Sequence, residues 1–238
     1  MDNDGTITVH ANGTLANHAG GTINNNRTID ASAARGFSND GTLTGAGIII
    51  GDFINEGIFT PGNSTGVHTI DGNYDERGTL NIEIGGLLTS TEYGFVDVIA
   101  SNRTVSMDSA TSILELSFVD GFDARKLIVG DEFDIILYSG VGSTLVGTFG
   151  SVVHPLASPV LFDLDYTVDG SLTLRVVAEL PGNCAGAPAI SLEDYAPMSE
   201  CMTGPEGGSP PGCACADLNN DGNIDLRDFA GLELLFKD

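Results

Sequence analysis

One short phrase constrains the fold of this chain more than any other feature. Gly5-Thr6-Ile7, Gly13-Thr14-Leu15, Gly21-Thr22-Ile23, Gly41-Thr42-Leu43 and Gly78-Thr79-Leu80 all read Gly-Thr-aliphatic, and Gly57-Ile58-Phe59 is a close variant. The context repeats too: Asn3-Asp4-Gly5-Thr6 returns as Asn39-Asp40-Gly41-Thr42, and Asn55-Glu56-Gly57 echoes it. Asn or Asp before Gly makes a turn, because glycine takes positive φ without a steric penalty, and the residues after it are β-prone. Strands this short do not survive in isolation. Stacked in register, coil upon coil, they pair along their length and share one aliphatic interior. The phrase therefore predicts a parallel β-helix with Asn, Asp and Gly at its corners. The alternative, an antiparallel sandwich, calls for longer strands at even spacing, which this region lacks.

From about Thr79 the strands lengthen, through TLNIEIGG, FVDVIASNRTVSM, SILELSFV, EFDIILYS, GTFGSVV and LFDLDYTVDGSLTLRVV. Asp169-Gly170 lies between Asp165-Tyr166-Thr167-Val168 and Ser171-Leu172-Thr173-Leu174, which predicts a two-residue hairpin. An antiparallel element of that kind would close the solenoid's open edge. No stretch before residue 183 has helical periodicity, and the composition then turns Pro/Gly-rich. The boundary is expected near Leu180–Asn183, giving a β-helix over 1–180 and a small second domain over 183–238.

The segments FTPGNSTGVHTIDGNYDERGTLNIEIGG, FVDVIASNRTVSM, GDEFDIILYSG and GTFGSV resemble bacterial autotransporter-type passenger repeats, including the turn Pro61-Gly62-Asn63-Ser64-Thr65-Gly66. The likeness covers roughly residues 1–178. It implies a right-handed parallel β-helix in an extracellular setting and no particular activity.

All four cysteines fall between Cys184 and Cys215, in a Pro/Gly-rich segment. An even number packed so closely reads as a disulfide framework formed in an oxidising compartment. The spacing Cys184, Cys201, Cys213, Cys215 lacks the C-x₂-C pairs of a structural zinc site. Three pairings are possible and the sequence does not choose among them. Secretion or cell-surface display follows as an expectation, and with no signal peptide in MDNDGTITVH the chain reads as a piece of a longer precursor or one that has lost its start.

The strongest chemical motif is DLNNDGNIDLRD, Asp217 to Asp228. Taken as a twelve-position calcium loop, it puts Asp217, Asn219 and Asp221 at ligand positions one, three and five and Gly222 at the sharp turn. Asn223 offers its carbonyl at seven, Asp225 stands at nine and Asp228 at twelve, with Ile224 facing a small core. Ca²⁺ is thus the expected cofactor, through Asp217, Asn219, Asp221, Asn223, Asp225 and Asp228. Asp at position twelve with a single following helix resembles the F-hand of type I dockerins, which carry two such units and bind cohesin domains. A second unit lies 34 residues upstream: Ile190 to Ala196 lines up with Ile224 to Ala230, and Met198 with Leu232. Its loop is degenerate, with Asn183, Ala185, Ala187 and Pro188 in place of Asp217, Asn219, Asp221 and Gly222, so disulfides are expected to secure what calcium cannot. Leu226, Phe229, Leu232, Leu235 and Phe236 would present one apolar face, and Leu192, Tyr195, Met198 and Met202 another. In dockerins positions ten and eleven select the cohesin; here they are Leu226 and Arg227.

The chain has 9 basic side chains against 33 acidic ones, a net charge of −24. Such a protein repels nucleic acid and anionic lipid, and no apolar run approaches the ~18–20 residues of a membrane span. β-Helices also host polysaccharide lyases and hydrolases, but the cations Arg27, Arg35, Arg77, Arg103, Arg125, Lys126 and Arg175 are scattered. Glu83, Asp97 and Glu115 read as outward solvated charges and not as a hydrolase pair. His10, His18, His68 and His154 have no triad-like or metal-like partners and read as turn or surface residues. The expectation is a non-enzymatic extracellular stalk with a calcium-stabilised attachment module, whose partner is a cohesin-like or other extracellular protein. The alternative is a carbohydrate-binding or polysaccharide-degrading β-helix targeted by its tail.

Overall fold

The computed structural model describes all residues except 90, 120, 139, 155–159, 180–183, 185–191, 211–212, 220 and 236–238. The expected domain boundary near Leu180–Asn183 lies outside the described residues.

The chain lays down three short strands per coil. The first coil is β1 (Asp2–Asn3), β2 (Thr6–Thr8) and β3 (Leu15–Asn17), the second β4 (Thr22–Asn25), β5 (Thr28–Asp30) and β6 (Phe37–Asn39). The third is β7 (Thr42–Gly45), β8 (Ile48–Ile50) and β9 (Phe53–Asn55), the fourth β10 (Ile58–Pro61), β11 (Gly66–Asp71) and β12 (Tyr74–Glu76). The fifth is β13 (Thr79–Ile84), β14 (Gly94–Val98) and β15 (Thr104–Met107), the sixth β16 (Ile113–Phe118), β17 (Glu132–Leu137) and β18 (Thr144–Val146). β19 (Ser151–Val153) begins another coil, and β20 (Val160–Asp165) and β21 (Ser171–Glu179) follow.

Three sheets are visited in rotation. The first runs β1-β4-β7-β10-β13-β16-β19, the second β2-β5-β8-β11-β14-β17-β21-β20, the third β3-β6-β9-β12-β15-β18. Pairing between successive coils is parallel throughout these stacks. This is the β-helix-like stack that the repeated phrase predicts. From Gly21 onward the apolar residue of the phrase supplies the interior: Ile23, Leu43, Phe59 and Leu80, followed by Leu114, stand in register on the first sheet and are buried. Ile29, Ile49, Ile70 and Val98 form the second column, and Phe37, Phe53, Tyr74 and Val105 the third. Phe53 stacks between Phe37 at 5.3 Å and Tyr74 at 5.6 Å. Like residues on like, coil over coil, give a continuous core without any single strand being stable alone.

The corner asparagines are buried, which the sequence reading did not foresee. Asn17, Asn39 and Asn55 end the third-sheet strands of successive coils, and each donates its amide to the next: Asn17 to Asn39 at 2.7 Å, Asn39 to Asn55 at 2.7 Å. Asn55 then donates to both oxygens of Glu76 at 2.8 and 3.0 Å. The same amides reach backbone carbonyls in the first-sheet strand that follows each partner, those of Thr42, Ile58 and Thr79. On the first sheet Asn3 donates to Asn25 at 2.7 Å. Part of the signal was legible: Asn3, Asn39 and Asn55 each stand two places before the glycine of the repeated phrase.

The Pro61–Gly66 turn forms as expected, with Gly62 and Gly45 exchanging backbone hydrogen bonds at 2.9 Å and with positive φ at Gly62, Ser64 and Gly66. The hairpin differs from expectation. β20 stops at Asp165, whose carboxylate accepts from the Thr167 N–H and hydroxyl and turns the chain out of the sheet. The Asp169-Gly170 turn exists, with φ +86° at Gly170, but it sits inside a longer connection of residues 166–170. β21 is antiparallel to β17, since Tyr138 donates to Gly170 while Val176 donates to Asp131.

The chain divides into two compact units, one of residues 1–122, 133–153 and 164–174, the other of 123–132, 154–163 and 175–238. The second unit contains the two helices, α1 (Tyr195–Cys201) and α2 (Leu226–Leu235).

Candidate functional site

The tail is held by two disulfides, Cys184–Cys215 and Cys201–Cys213, which selects one of the three possible pairings and leaves no free cysteine. Around them a small core gathers Met198, Ala216, Ile224 and Leu232, all buried, with Met202, Leu218 and Phe229 packed on its edge. Ile224 is fully buried, and its carbonyl accepts from Thr203 and Gly204 beyond the end of α1.

Positions 34 residues apart behave alike. Asp194 and Asp228 are both fully buried, Met198 and Leu232 both enter the core, and Tyr195 meets Phe229 edge to face at 5.3 Å. Pro197 lies in the first turn of α1, where its missing N–H breaks no helical bond. Leu226 departs from the expected apolar face: it is 73% exposed, since it opens α2 on the side away from the core. Asn183, Ala185, Ala187, Pro188, Ile190 and Phe236 lie outside the described residues, as do the side chains of Leu192 and Leu235.

In the loop, the acidic side chains hold backbone N–H groups. Asp217 accepts from Asp221 at 3.1 Å and Gly222 at 2.9 Å, and Asn219 also accepts from Asp221 at 2.9 Å. Gly222 takes φ +81°, as the sharp turn requires. Asp221 accepts from the Asn223 N–H at 2.9 Å, and its side chain lies 3.5 Å from Arg227. The Asn223 N–H comes first among the causes that hold the Asp221 carboxyl below its usual range, with Asn219 and the Arg227 charge adding to it. Asp225 and Asp228 form a reciprocal cap on α2: Asp225 accepts from Arg227 at 2.7 Å, and Asp228 accepts from Asp225 at 2.8 Å. The other Asp228 oxygen accepts from Asn219 at 3.2 Å, tying loop entry to helix start. Every donor in the set is a hard oxygen, as Ca²⁺ demands. Among the described residues no group of three acidic, His or Cys side chains is drawn tightly enough to form a ready-made metal cluster; the loop's oxygens are engaged with its own N–H groups.

In the first unit, Glu83 and Glu115 lie on neighbouring strands of the first sheet, while Asp97 lies on the second. Burial raises the Asp97 carboxyl above its ordinary value. The histidine expectation needs correction at His68. It is fully buried on β11, 2.8 Å from the Gly45 carbonyl through Nδ1 and 3.4 Å from the Asn25 amide through Nε2. That network assigns the proton to Nδ1, and burial lowers the imidazole to about 4. His10 and His18 are exposed, and His154 is half-buried against the Phe162 ring. Glu76, which sequence reasoning also missed, is buried with a carboxyl pushed up to about 7 by desolvation, against the pull of Tyr74, Asn55 and Gly78.

No family model matches the chain, and no curated protein matches it. No helix among the described residues is long and apolar enough to cross a membrane, and the two disulfides point to an oxidising environment.

Proposed function

We propose that this chain is a secreted or cell-surface structural and binding protein, a right-handed parallel β-helix stalk carrying a dockerin-like attachment module stabilised by calcium. The right hand follows from the strong general preference for right-handed crossovers between parallel strands. The observation that carries the attachment reading is the equivalence of residues 34 apart in the tail: Asp194 with Asp228, Tyr195 with Phe229 and Met198 with Leu232. That is the mark of a duplicated loop-helix unit in which one loop retains its oxygens and the other is replaced by disulfides. Asp217, Asn219, Asp221, Asn223, Asp225 and Asp228 would hold the ion, whose role is to neutralise the loop's carboxylates and fix its fold.

The exposed Leu226 and Arg227 at the start of α2 would meet an extracellular protein partner. The Gly222 turn and the Asp225–Asp228 cap support a loop already close to its ligand-binding path. Because an unfolded loop cannot gather six oxygens, metal affinity appears as folding free energy. Scanning calorimetry with calcium and with chelator tests this: calcium should raise the melting temperature of the tail, and Asp221→Ala should abolish the rise. A tail whose transition ignores millimolar calcium would refute the proposal.

A further inference from the structure

The corners between the second and third sheets vary in length in a way that hollows the surface. The link from β5 to β6 is the six residues 31–36 and that from β14 to β15 the five residues 99–103. Between them β8 joins β9 through Gly51-Asp52 alone, and β11 joins β12 through Gly72-Asn73. Two short corners between two long ones leave a groove of about 440 Å³. Its floor is made of small residues, Ala31, Gly36 and Gly51; a Cβ on Gly36 would meet the Asp52 carbonyl at 2.6 Å, so the floor has no room for a side chain. A smaller hollow of about 120 Å³ shares Arg35, Gly36 and Asp52 with it and reaches Thr14. Together they cross five coils, from the corner before β3 to that before β15. At ~4.8 Å per coil this is roughly 20 Å along the stack.

The walls carry paired donors and acceptors. Two of the chain's nine basic side chains, Arg35 and Arg103, stand beside Asp52 and Asp71. Arg35 is exposed and makes no ion pair or hydrogen bond among the described residues. Arg103 lies 3.7 Å from Asp71, too far for a tight bond, and its Nε is shut off from solvent with nothing to donate to. Asp52 is held in place on one oxygen, which accepts from the Asn73 N–H and side-chain amide at 3.0 Å each, while Asn73 accepts from Thr104 at 2.9 Å. The wall is therefore fixed across three coils, and the other Asp52 oxygen has no partner among the described residues.

We propose that this groove binds an extended, uncharged, hydroxyl-rich polymer, a neutral glycan. Hydroxyls donate and accept at once, so they satisfy the two carboxylates and the guanidinium groups that flank them, Arg35 on one side and Arg103 on the other. A polyanion is disfavoured by Asp52, Asp71 and the net charge of −24. A purely apolar ligand would leave four ionic side chains poorly solvated. The two hollows follow one another over successive coils, which suits a chain and not a compact metabolite. The stack thereby gains a binding role independent of the tail.

Affinity electrophoresis of the full chain through gels containing dextran, xylan or a mixed-linkage β-glucan, with polygalacturonate as the anionic arm, tests the proposal. All runs contain chelator, so that the tail's calcium chemistry cannot contribute. Retardation by at least one neutral polysaccharide is expected. Arg35→Ala should weaken it by about tenfold or more, the loss of one charge-assisted hydrogen bond, without lowering the melting temperature, since Arg35 has no protein partner to lose. Ala34→Phe, which fills the groove from its rim, should weaken it too. Retardation by none of the neutral gels, by polygalacturonate alone, or with full strength in both variants overturns it.

Discussion

Two buried ionisable residues, Glu76 and His68, shape the acid response of the stack in opposite senses. Glu76 is raised to about 7 by burial, so the folded state holds its proton more firmly than the unfolded chain, whose carboxyl titrates near 4.5. Its stabilising contribution is complete below about pH 4.5 and is lost as pH rises through about 7. His68 is lowered to about 4 from 6.5, so it favours the fold above pH 6.5 and loses that contribution as pH falls through 4. Between about pH 4.5 and 6.5 the two slopes oppose each other. Thermal melts across this range should be nearly level for the native chain as far as these two groups are concerned. Glu76→Gln should uncover a loss of stability on acidification, and His68→Gln a loss on alkalinisation, each amounting to ~3 kcal/mol across its window. Parallel profiles for all three proteins would contradict the assignment. The groups facing Glu76 are Tyr74, Asn55, the Gly78 N–H and the nearby Asp75 charge, with Met107 across from it on β15; none is a cation, so desolvation goes unopposed by an ion pair.

At the scale of the element, the asparagine ladder does what a glycine-rich strand cannot do alone. A strand of three residues has too few backbone bonds to fix its register, and a slip of one residue would turn its core side chain outward. Each buried amide bonds the next coil's amide and its backbone, so only the native register satisfies it. Asn39→Ala should strand the Asn17 donor and the Asn55 acceptor inside the stack, at ~2–4 kcal/mol, measurable as a lower urea midpoint. The parallel coils were legible because the Gly-Thr-aliphatic phrase marks both the turn and the core residue. The ladder was less so, since a polar residue beside a turn ordinarily faces water. The hairpin was placed at the right turn, but its strands were overextended because Asp165 bonds Thr167 and ends β20 locally. In the tail, Ile224 and the upstream match to Asp194, Tyr195 and Met198 could be read from spacing. The cysteine pairing could not, since connectivity depends on which segments the fold brings together, and Leu226 turned out exposed because helix phase is set by the Asp225–Asp228 cap. The groove had no sequence signature; it arises only when corners of unequal length are stacked.

For the molecule as a whole, each unit has its own means of cohesion. The first relies on repeated coils; the second is too small to build much core and relies on covalent links. The two disulfides close loops with separations of 31 and 12 residues, each worth ~3 kcal/mol by loop closure. One fastens Cys215 and the other Cys213, just before Asp217, so they also hold the start of the Asp217–Asp228 loop. Mild reduction should therefore lower the tail's melting transition and weaken its calcium affinity together, read by calorimetry with and without reductant. If neither moves, the disulfides do not support the Asp217–Asp228 loop.

The hydrogen bonds of the ladder all point one way, from Asn17 toward Glu76, and the carboxylate that receives the last of them has no amide to pass onward. Above Glu76 stands Met107, which offers no strong partner. The solenoid is thus trimmable on one side of this residue and not on the other. Excising residues 40–55 would join Asn39 to Glu56-Gly57 and set its amide directly on Glu76, leaving a shorter ladder that still ends on the same carboxylate. Beyond Glu76 no such seamless splice exists, and the coils there are free to grow long.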